Sequence, residues 1–437
     1  MTPSARLAAT IELLGQIDET SRPADATASA YFRSRRYIGA KDRAEISHAV
    51  YRALRRRARL DWWLERSGGE KNARAYAIAD LMLGEGVPPP KVDQLFSGGA
   101  YAPGRLFEDE QALVKRLANH TLFHPDMPEA VAAECPPWAE PELRKALGAR
   151  FKDEMTALID PAPLDLRVNP LVAERDAVLA RLRADGIAAE PTPLSPWGIR
   201  LAGRPSVMAH PLYREGAIEI QDEGSQLIAL LVDARPGQQV VDFCAGAGGK
   251  TLAVAATMEN KGRIVATDVL SGRLERARER FRRAGVHNVQ ARPLESETDP
   301  WIKRHKGQFD RVLVDAPCSG TGTWRRNPDM RWRTLGPGLE TLTPLQAKLL
   351  ASAARLVKPG GRLIYATCSL LPAENQEQAA RFLQAHPDFT AVPVDRVWNR
   401  LGDSRYLSLS PARDRTDGFF AAIFERKPAA PESTGAG

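Results

Sequence analysis

The chain has 437 residues, of which 43% are hydrophobic and 26% charged; this is ample for folded cores, predicts about two to three domains and excludes disorder as the main state. Its four cysteines, Cys135, Cys244, Cys318 and Cys368, form no CxxC pair and take no zinc-ligand spacing with histidine, which excludes a disulfide scaffold and predicts a reduced, cytoplasmic protein. Lys and Arg outnumber Asp and Glu by 61 to 54, a formal net charge of +7, and such an excess points to a polyanionic partner without saying which.

The first residues run into Glu12 and Asp18 without the apolar core of a signal peptide, and no later window is long and uncharged enough to span a bilayer, so no membrane partner is expected. From Pro3 to about His124 apolar positions such as Ile46, Val50 and Leu54 recur at helical spacing, which predicts an all-α domain. Within it, residues 33 to 59 hold ten cations (Arg33, Arg35, Arg36, Lys41, Arg43, Arg52, Arg55, Arg56, Arg57, Arg59) against Asp42 and Glu45. Such a run contacts phosphates or forms a solvated helical face. Tyr31, Phe32, Tyr37 and Tyr51 lie among the cations and would stack on bases in the first case and pack in the core in the second. His120 and His124 sit four apart, but with no Cys or carboxylate at ligand spacing and Pro125 ending the helix they are assigned to structure, and no metal is expected.

Between Pro125 and Pro211 proline recurs, and short helical stretches alternate with strand-like pieces such as Leu164 to Val168. This reads as a small α/β module joining two larger bodies. From about Ala217 short β-branched runs at 239–243, 263–267, 310–314 and 362–366 are each followed by a turn and an amphipathic helix. That alternation predicts a doubly wound parallel sheet, with ligands gathering at the carboxyl ends of its strands. The expected organisation is a helical domain over 1–135, a connecting α/β module over 136–210, an α/β domain over 211–427 and a disordered, Pro- and Ala-rich tail over 428–437.

The first strand of the α/β domain runs into Asp242-Phe243-Cys244-Ala245-Gly246-Ala247-Gly248-Gly249-Lys250-Thr251. A P-loop would need glycine where Cys244 stands, and a dinucleotide fingerprint would need a small residue where Thr251 stands. The remaining reading is the turn that binds S-adenosyl-L-methionine, whose companion is an acid at the end of the next strand, placed to accept from the ribose hydroxyls; Asp268 supplies it. A nucleotide hydrolase using the strand that ends at Asp315 is the competing assignment, and it leaves Asp268 unexplained.

The fourth strand ends in Asp315-Ala316-Pro317-Cys318-Ser319-Gly320-Thr321-Gly322 and the fifth in Ala366-Thr367-Cys368-Ser369. In a parallel sheet these ends lie side by side next to the first strand, so two thiols and a carboxylate converge on the cofactor mouth. A pyrimidine C5 is a poor nucleophile toward a sulfonium methyl group. Adding a thiolate at C6 makes the ring an enamine and raises electron density at C5, while a carboxyl at N3 accommodates the changing charge. At a pKa of about 8.5 only a few per cent of a thiol is ionised near neutrality, so Lys250 or the sulfonium has to favour the thiolate. The alternative for each cysteine is a small buried hydrophobe.

Through DFCAGAGGKT, Asp268, DAPCSGTG and ATCS the chain resembles the Nol/Nop/Sun family of RNA cytosine-5 methyltransferases. Residues 211 to 226 look like its lead-in segment, Asp417-Gly418-Phe419-Phe420 like its closing hairpin, and Leu166-Arg167-Val168-Asn169 like the module before its catalytic domain. The resemblance implies a Rossmann-like methyltransferase domain in which Cys368 attacks C6, Cys318 assists release, Asp315 contacts N3 and borders the cofactor, and Lys250 lies in the pocket. It also implies that Cys244, Ala245, Gly246, Ala247, Gly248, Gly249, Lys250 and Asp268 bind S-adenosyl-L-methionine with Arg273 beside them, and that Glu295 replaces the aspartate usual at the third strand's end.

The N-terminal half is similar to the fold of the antitermination factor NusB, through Tyr37-Ile38-Gly39-Ala40-Lys41-Asp42-Arg43 and 50–55. That pairing of domains is found in members of the family that act on bacterial small-subunit rRNA. The expected activity is therefore methyl transfer to a cytosine C5 in RNA, with rRNA favoured, tRNA as the nearest alternative, and a monomer. A noncatalytic RNA-binding scaffold is the reading from another class.

Overall fold

The computed structural model describes residues 1–332, 336–399 and 404–428; the tail expected over 428–437 falls outside them from residue 429 onward. The chain divides into two compact units, one made of Met1–Pro161 with Thr323–Gly336, the other of Ala162–Gly322 with Pro337–Gly437. No helix among the described residues is long and apolar enough to cross a membrane.

The first unit is helical. Its longest helices are Pro3–Glu19, Ala24–Ser34, Ala40–Arg55, Arg57–Arg66 and Glu108–Leu117. Pro3 opens the first of them, where its missing N–H costs nothing, and the Thr2 hydroxyl caps it by accepting from the Ala5 N–H. The spacing that predicts helices also selects the buried face: Leu13, Leu14, Ile17, Ile46, Val50, Trp63, Tyr76 and Ile78 form one core. The segment Thr323–Gly336 packs into this unit although its neighbours in sequence on both sides belong to the other. Asp329 accepts from the Ala24 N–H at 2.9 Å, the Trp332 indole donates to the Leu54 carbonyl at 2.8 Å, and buried Arg331 donates to the Leu158 carbonyl at 3.0 Å.

The second unit holds two sheets. Strands β1 (Leu164–Val168), β2 (Ala189–Pro191), β3 (Gly198–Leu201) and β4 (Ile218–Ile220) form an antiparallel sheet in the order β2-β3-β1-β4. Leu166, Val168, Ile199 and Ile218 pack with Val178 and Leu182 of the helix Arg175–Ala184. The alternate positions Asp165 and Arg167 are polar and also buried, and each is paired across the sheet: Asp165 with Arg200 at 2.7 and 2.8 Å, and Arg167 opposite Glu219 in register.

The larger sheet contains β5 (Gln239–Asp242), β6 (Arg263–Asp268), β7 (Val289–Pro293), β8 (Phe309–Asp315), β9 (Val357–Thr367), β10 (Phe389–Val392), β11 (Leu407–Leu409) and β12 (Phe419–Arg426). Its order is β10-β12-β9-β8-β5-β6-β7, with β11 also on β12. Successive residues serve opposite faces: Val240, Ile264, Leu313 and Ile364 meet the helices Glu223–Leu231, Gly249–Thr257 and Ser271–Arg283, whereas Val241, Val265, Val312 and Leu363 meet Leu339–Ala354 and Gln376–Ala385. Burial on both faces is why these strands read as continuous apolar runs. The expected doubly wound sheet is present, with β5 to β9 parallel. Toward one edge β12 lies between β9 and β10 and runs antiparallel to both and to β11.

Candidate active site

The strand order sets β8 between β5 and β9, so the three carboxyl ends adjoin. At the end of β5 the Ala245 N–H donates to the Thr267 carbonyl at 2.8 Å and the Gly248 N–H to the Ala245 carbonyl at 2.9 Å, closing a tight turn before the helix Gly249–Thr257. Gly246 has φ of 54°, and a Cβ there would project into open space, so the backbone forms an uncovered cradle. The Asp268 carboxylate accepts from the Gly246 N–H at 2.9 Å and from the Leu270 N–H at 2.8 Å, one bond per oxygen, which leaves acceptor capacity on both.

Asp242 is buried, accepts from the Thr251 hydroxyl at 2.6 Å through one oxygen and has no partner for the other. Burial pushes its carboxyl up to about 7, with the charges of Asp315 and Asp268 acting the same way against the Thr251 bond and Lys250. Cys244 is held as a neutral thiol by burial and by the surrounding charges of Asp315, Asp242 and Asp268.

Two guanidinium groups grip this turn from behind. Arg167 donates to the Gly249 carbonyl at 2.7 Å and to the Gln221 side chain, and Arg280 donates to the Ala247 carbonyl at 2.7 Å while pairing with buried Glu219 at 3.0 Å. No spacing in the sequence singles out these residues. The available signal is a strand, β1, with polar residues at alternate positions where its second face is covered.

At the ends of β8 and β9 the two thiols meet, with Cys318 Sγ 3.4 Å from Cys368 Sγ. The loop between Asp315 and Gly322 is tied at both ends to the β9 end: the Ala316 N–H donates to the Ala366 carbonyl at 2.9 Å and the Gly322 N–H to the Cys368 carbonyl at 3.0 Å. Gly322 has to be glycine, since a Cβ would lie 2.2 Å from the Gly418 carbonyl oxygen. Lys250 donates to Asp315 at 2.6 Å and sits 5.9 Å from the centre of the Phe419 ring. Burial alone would lower the Lys250 pKa, but Asp315, with help from Cys368 and Asp242, raises it, so the ammonium is retained. The hydrogen bond with Cys368 raises the Cys318 thiol well above its ordinary value, and burial and the charge of Glu374 add to this. Glu374, in the short helical turn Pro372–Glu374 after β9, accepts from the Ser319 N–H and hydroxyl of this loop and has no counterpart among the residues singled out from the sequence.

The structure therefore brings together Cys244 to Lys250, Asp268, Asp315, Cys318 and Cys368. Two further candidates are exposed: Arg273 on the first turn of its helix, and Glu295, which follows Leu294, whose N–H donates to the Asp268 carbonyl.

In the helical unit the cationic stretch is mostly engaged. Arg52 and Arg56 pair with buried Asp80 at 2.8 and 2.7 Å, Arg59 with buried Glu134 at 2.6 Å, Arg57 with Asp18 at 3.2 Å, and Arg35 with Glu12. Arg43 donates to the Ile38 carbonyl at 2.7 Å and Arg55 to the Arg325 carbonyl at 2.9 Å. Arg33, Arg36 and Lys41 are exposed, as is Tyr37 at 77%, whereas Tyr31 is buried and Phe32 and Tyr51 are half-buried. His120 and His124 pack against Trp62 and Trp63 in tilted and edge-on contacts.

Residues 229–425 match the family described as 16S rRNA methyltransferase RsmB/F, and residues 135–208 match the ferredoxin-like domain of RsmF/B-like methyltransferases. A probable ribosomal RNA small subunit methyltransferase B from Synechocystis is 35% identical over 67% of this chain and 66% of its own length. Ribosomal RNA small subunit methyltransferase B from Serratia proteamaculans is 30% identical over 88% of this chain and 91% of its own. Among solved structures, PH0851 superposes with a TM-score of 0.79 at 27% identity, covering 98% of this chain and 99% of that one. With a methyltransferase sheet, an open glycine turn after β5 and these relatives, the chain belongs to the RsmB/F family of 16S rRNA methyltransferases and depends on S-adenosylmethionine.

Proposed function

We propose that the chain methylates C5 of a cytosine in RNA, of the small ribosomal subunit, through a thioether formed between Cys368 and C6. The observation that carries this reading is the 3.4 Å separation of the two sulfurs beside the Lys250–Asp315 pair. A methyltransferase acting on an amino group needs no thiol, since its nucleophile already exists.

S-adenosylmethionine, when bound, supplies an electrophilic methyl group. The residues present fit it: the open cradle at Gly246, the unpartnered oxygen of Asp242 and the spare acceptor capacity of Asp268 suit a ligand with an ammonium group and a ribose diol. Cys244 to Lys250 would line this ligand, with Asp315 at its border. Arg273 and Glu295 remain candidates at the periphery.

With Cys318 as the donor of the shared hydrogen bond and Cys368 as the thiolate, its proton already lost to solvent, Cys368 is the sulfur that carries the lone pair for attack. That lone pair forms the S–C6 bond, the C5–C6 π electrons move to C5, and the proton of the thiol pair stays on Cys318. Asp315, held by Lys250 through one oxygen, keeps the other for the N3 edge of the base. After methylation Cys318 gives its own proton to solvent and, as the thiolate, takes the C5 proton; the C5–H electron pair re-forms the C5–C6 double bond and the C6–S pair leaves on Cys368 as its thiolate. With Cys368 converted to a thioether, the hydrogen bond that most raises the Cys318 pKa is gone. The base has to leave its stack to reach the thiols.

The exposed Arg33, Arg36 and Lys41 around Tyr37 are the proposed phosphate and base contacts of the helical unit. Such a substrate is met in the cytoplasm. Bisulfite sequencing of total RNA from cells with and without the chain tests the function. One cytosine of small-subunit rRNA should lose its resistance to conversion. Loss in tRNA alone would overturn the substrate, and no loss anywhere would overturn the chemistry.

A further inference from the structure

Glu374 is fully buried, and its carboxylate accepts from three neutral donors: the Ser319 N–H at 2.9 Å, the Ser319 hydroxyl at 2.5 Å and the Gln346 amide at 3.0 Å. No Lys or Arg pairs with it among the described residues. The Gln346 amide also reaches the Pro317 carbonyl at 3.0 Å, so both residues flanking Cys318 are tied to one cluster. The Glu374 carbonyl accepts from the Tyr365 hydroxyl at 2.7 Å, which anchors the cluster to β9, the strand that leads into Cys368. A buried carboxylate without a counter-charge is costly to keep, and this one stands beside one thiol of the pair, while the other lies in the field of the Lys250 ammonium.

We infer that Glu374 is the positioning residue that makes the two thiols unequal, by holding Cys318 through both of its flanks and placing a full negative charge beside it. The inference rests on the reading of Cys368 as the attacking sulfur and adds what selects that sulfur. Cys318 then keeps the proton of the pair at rest, and Cys368 is left free to attack.

The test is the pH profile of Cys318 alkylation by iodoacetamide, followed residue by residue by mass spectrometry on the full chain without RNA. Glu374→Gln preserves shape, keeps one oxygen to accept from the Ser319 N–H and the Gln346 amide, reverses the bond with the Ser319 hydroxyl and removes the charge, so the midpoint should fall by about one pH unit, or about tenfold faster alkylation below it. Glu374→Asp, which keeps the charge, should stay near the wild type. An unchanged midpoint in Glu374→Gln overturns the inference. If that variant loses its fold, seen as lost binding of S-adenosylmethionine in dialysis, Gln346→Leu decides: it deprives the carboxylate of a donor, and the midpoint should rise. A midpoint that stays or falls overturns the role. Either failure leaves the C6 chemistry standing, because that is tested separately by turnover of Cys368→Ala.

Discussion

Two sulfur atoms 3.4 Å apart hold one proton between them more readily than two charges, and each thiol can be removed singly. Cys368→Ala should abolish methylation and leave S-adenosylmethionine affinity within about twofold, because its side chain belongs to the β9 end and not to the β5 turn; turnover and equilibrium dialysis measure the two. Cys318→Ala should instead accumulate an RNA–protein adduct stable to denaturing electrophoresis, and an adduct in the Cys368 variant would reverse the roles. Asp242 gives a pH prediction. Burial lifts its folded pKa to about 7, above the ordinary carboxyl value of about 3.9, so it contributes stability below about pH 4 that is lost as pH rises through 7. Relative to Asp242→Asn, the ligand-free wild type should lose up to about 4 kcal/mol across that window, read by denaturant unfolding at several pH values. A constant difference would refute the buried charge. The thiols, Asp315 and Asp268 were legible because each follows an apolar run that ends at one sheet edge. Glu374 was not: a lone acid in Leu371-Pro372-Ala373-Glu374 has no spacing signature, and its partners lie 28 and 55 residues away.

At the scale of elements, the cationic stretch separates into two kinds of arginine. Replacing Arg36 or Lys41 with Ala should flatten the dependence of log affinity for RNA on log salt by about 0.7 to 0.9 each. Arg56→Ala should leave that slope unchanged and cost about 1–3 kcal/mol of stability, because buried Asp80 loses a charged donor. Identical salt slopes in all three variants would remove the turn around Tyr37 from the RNA contact. Sequence shows the excess of cations but not their partners, since Asp80 and Glu134 approach only after helices distant in sequence have packed. The small sheet makes a related point. Arg167→Met should weaken S-adenosylmethionine binding at least about tenfold, a loss comparable to one charge-assisted hydrogen bond, by releasing the Gly249 carbonyl. Unaltered affinity would show that the turn holds its shape without it.

For the whole molecule, the alternation of strands and helices made the methyltransferase sheet readable, whereas the allegiance of Thr323–Gly336 was not. The segment Trp324-Arg325-Arg326-Asn327-Pro328-Asp329 has the composition of a surface loop, yet Trp324 is fully buried and Asp329 bonds to a residue 305 positions earlier. A fragment containing residues 1–161 alone should therefore melt at a lower temperature than the same fragment mixed with a peptide of residues 323–336, followed by circular dichroism. Equal melting would show that the helices need no such insert.

The pairing of β12 with β9 and the hydrogen bond from Gly418 to Gly322 have a consequence in time. During synthesis the ribosome delivers Cys318 and Cys368 well before residues 418 to 426. The sulfur pair therefore waits, unbuttressed, for the strand that closes its flank. The pair is completed only once residues about 50 positions beyond Cys368 have emerged and folded against it.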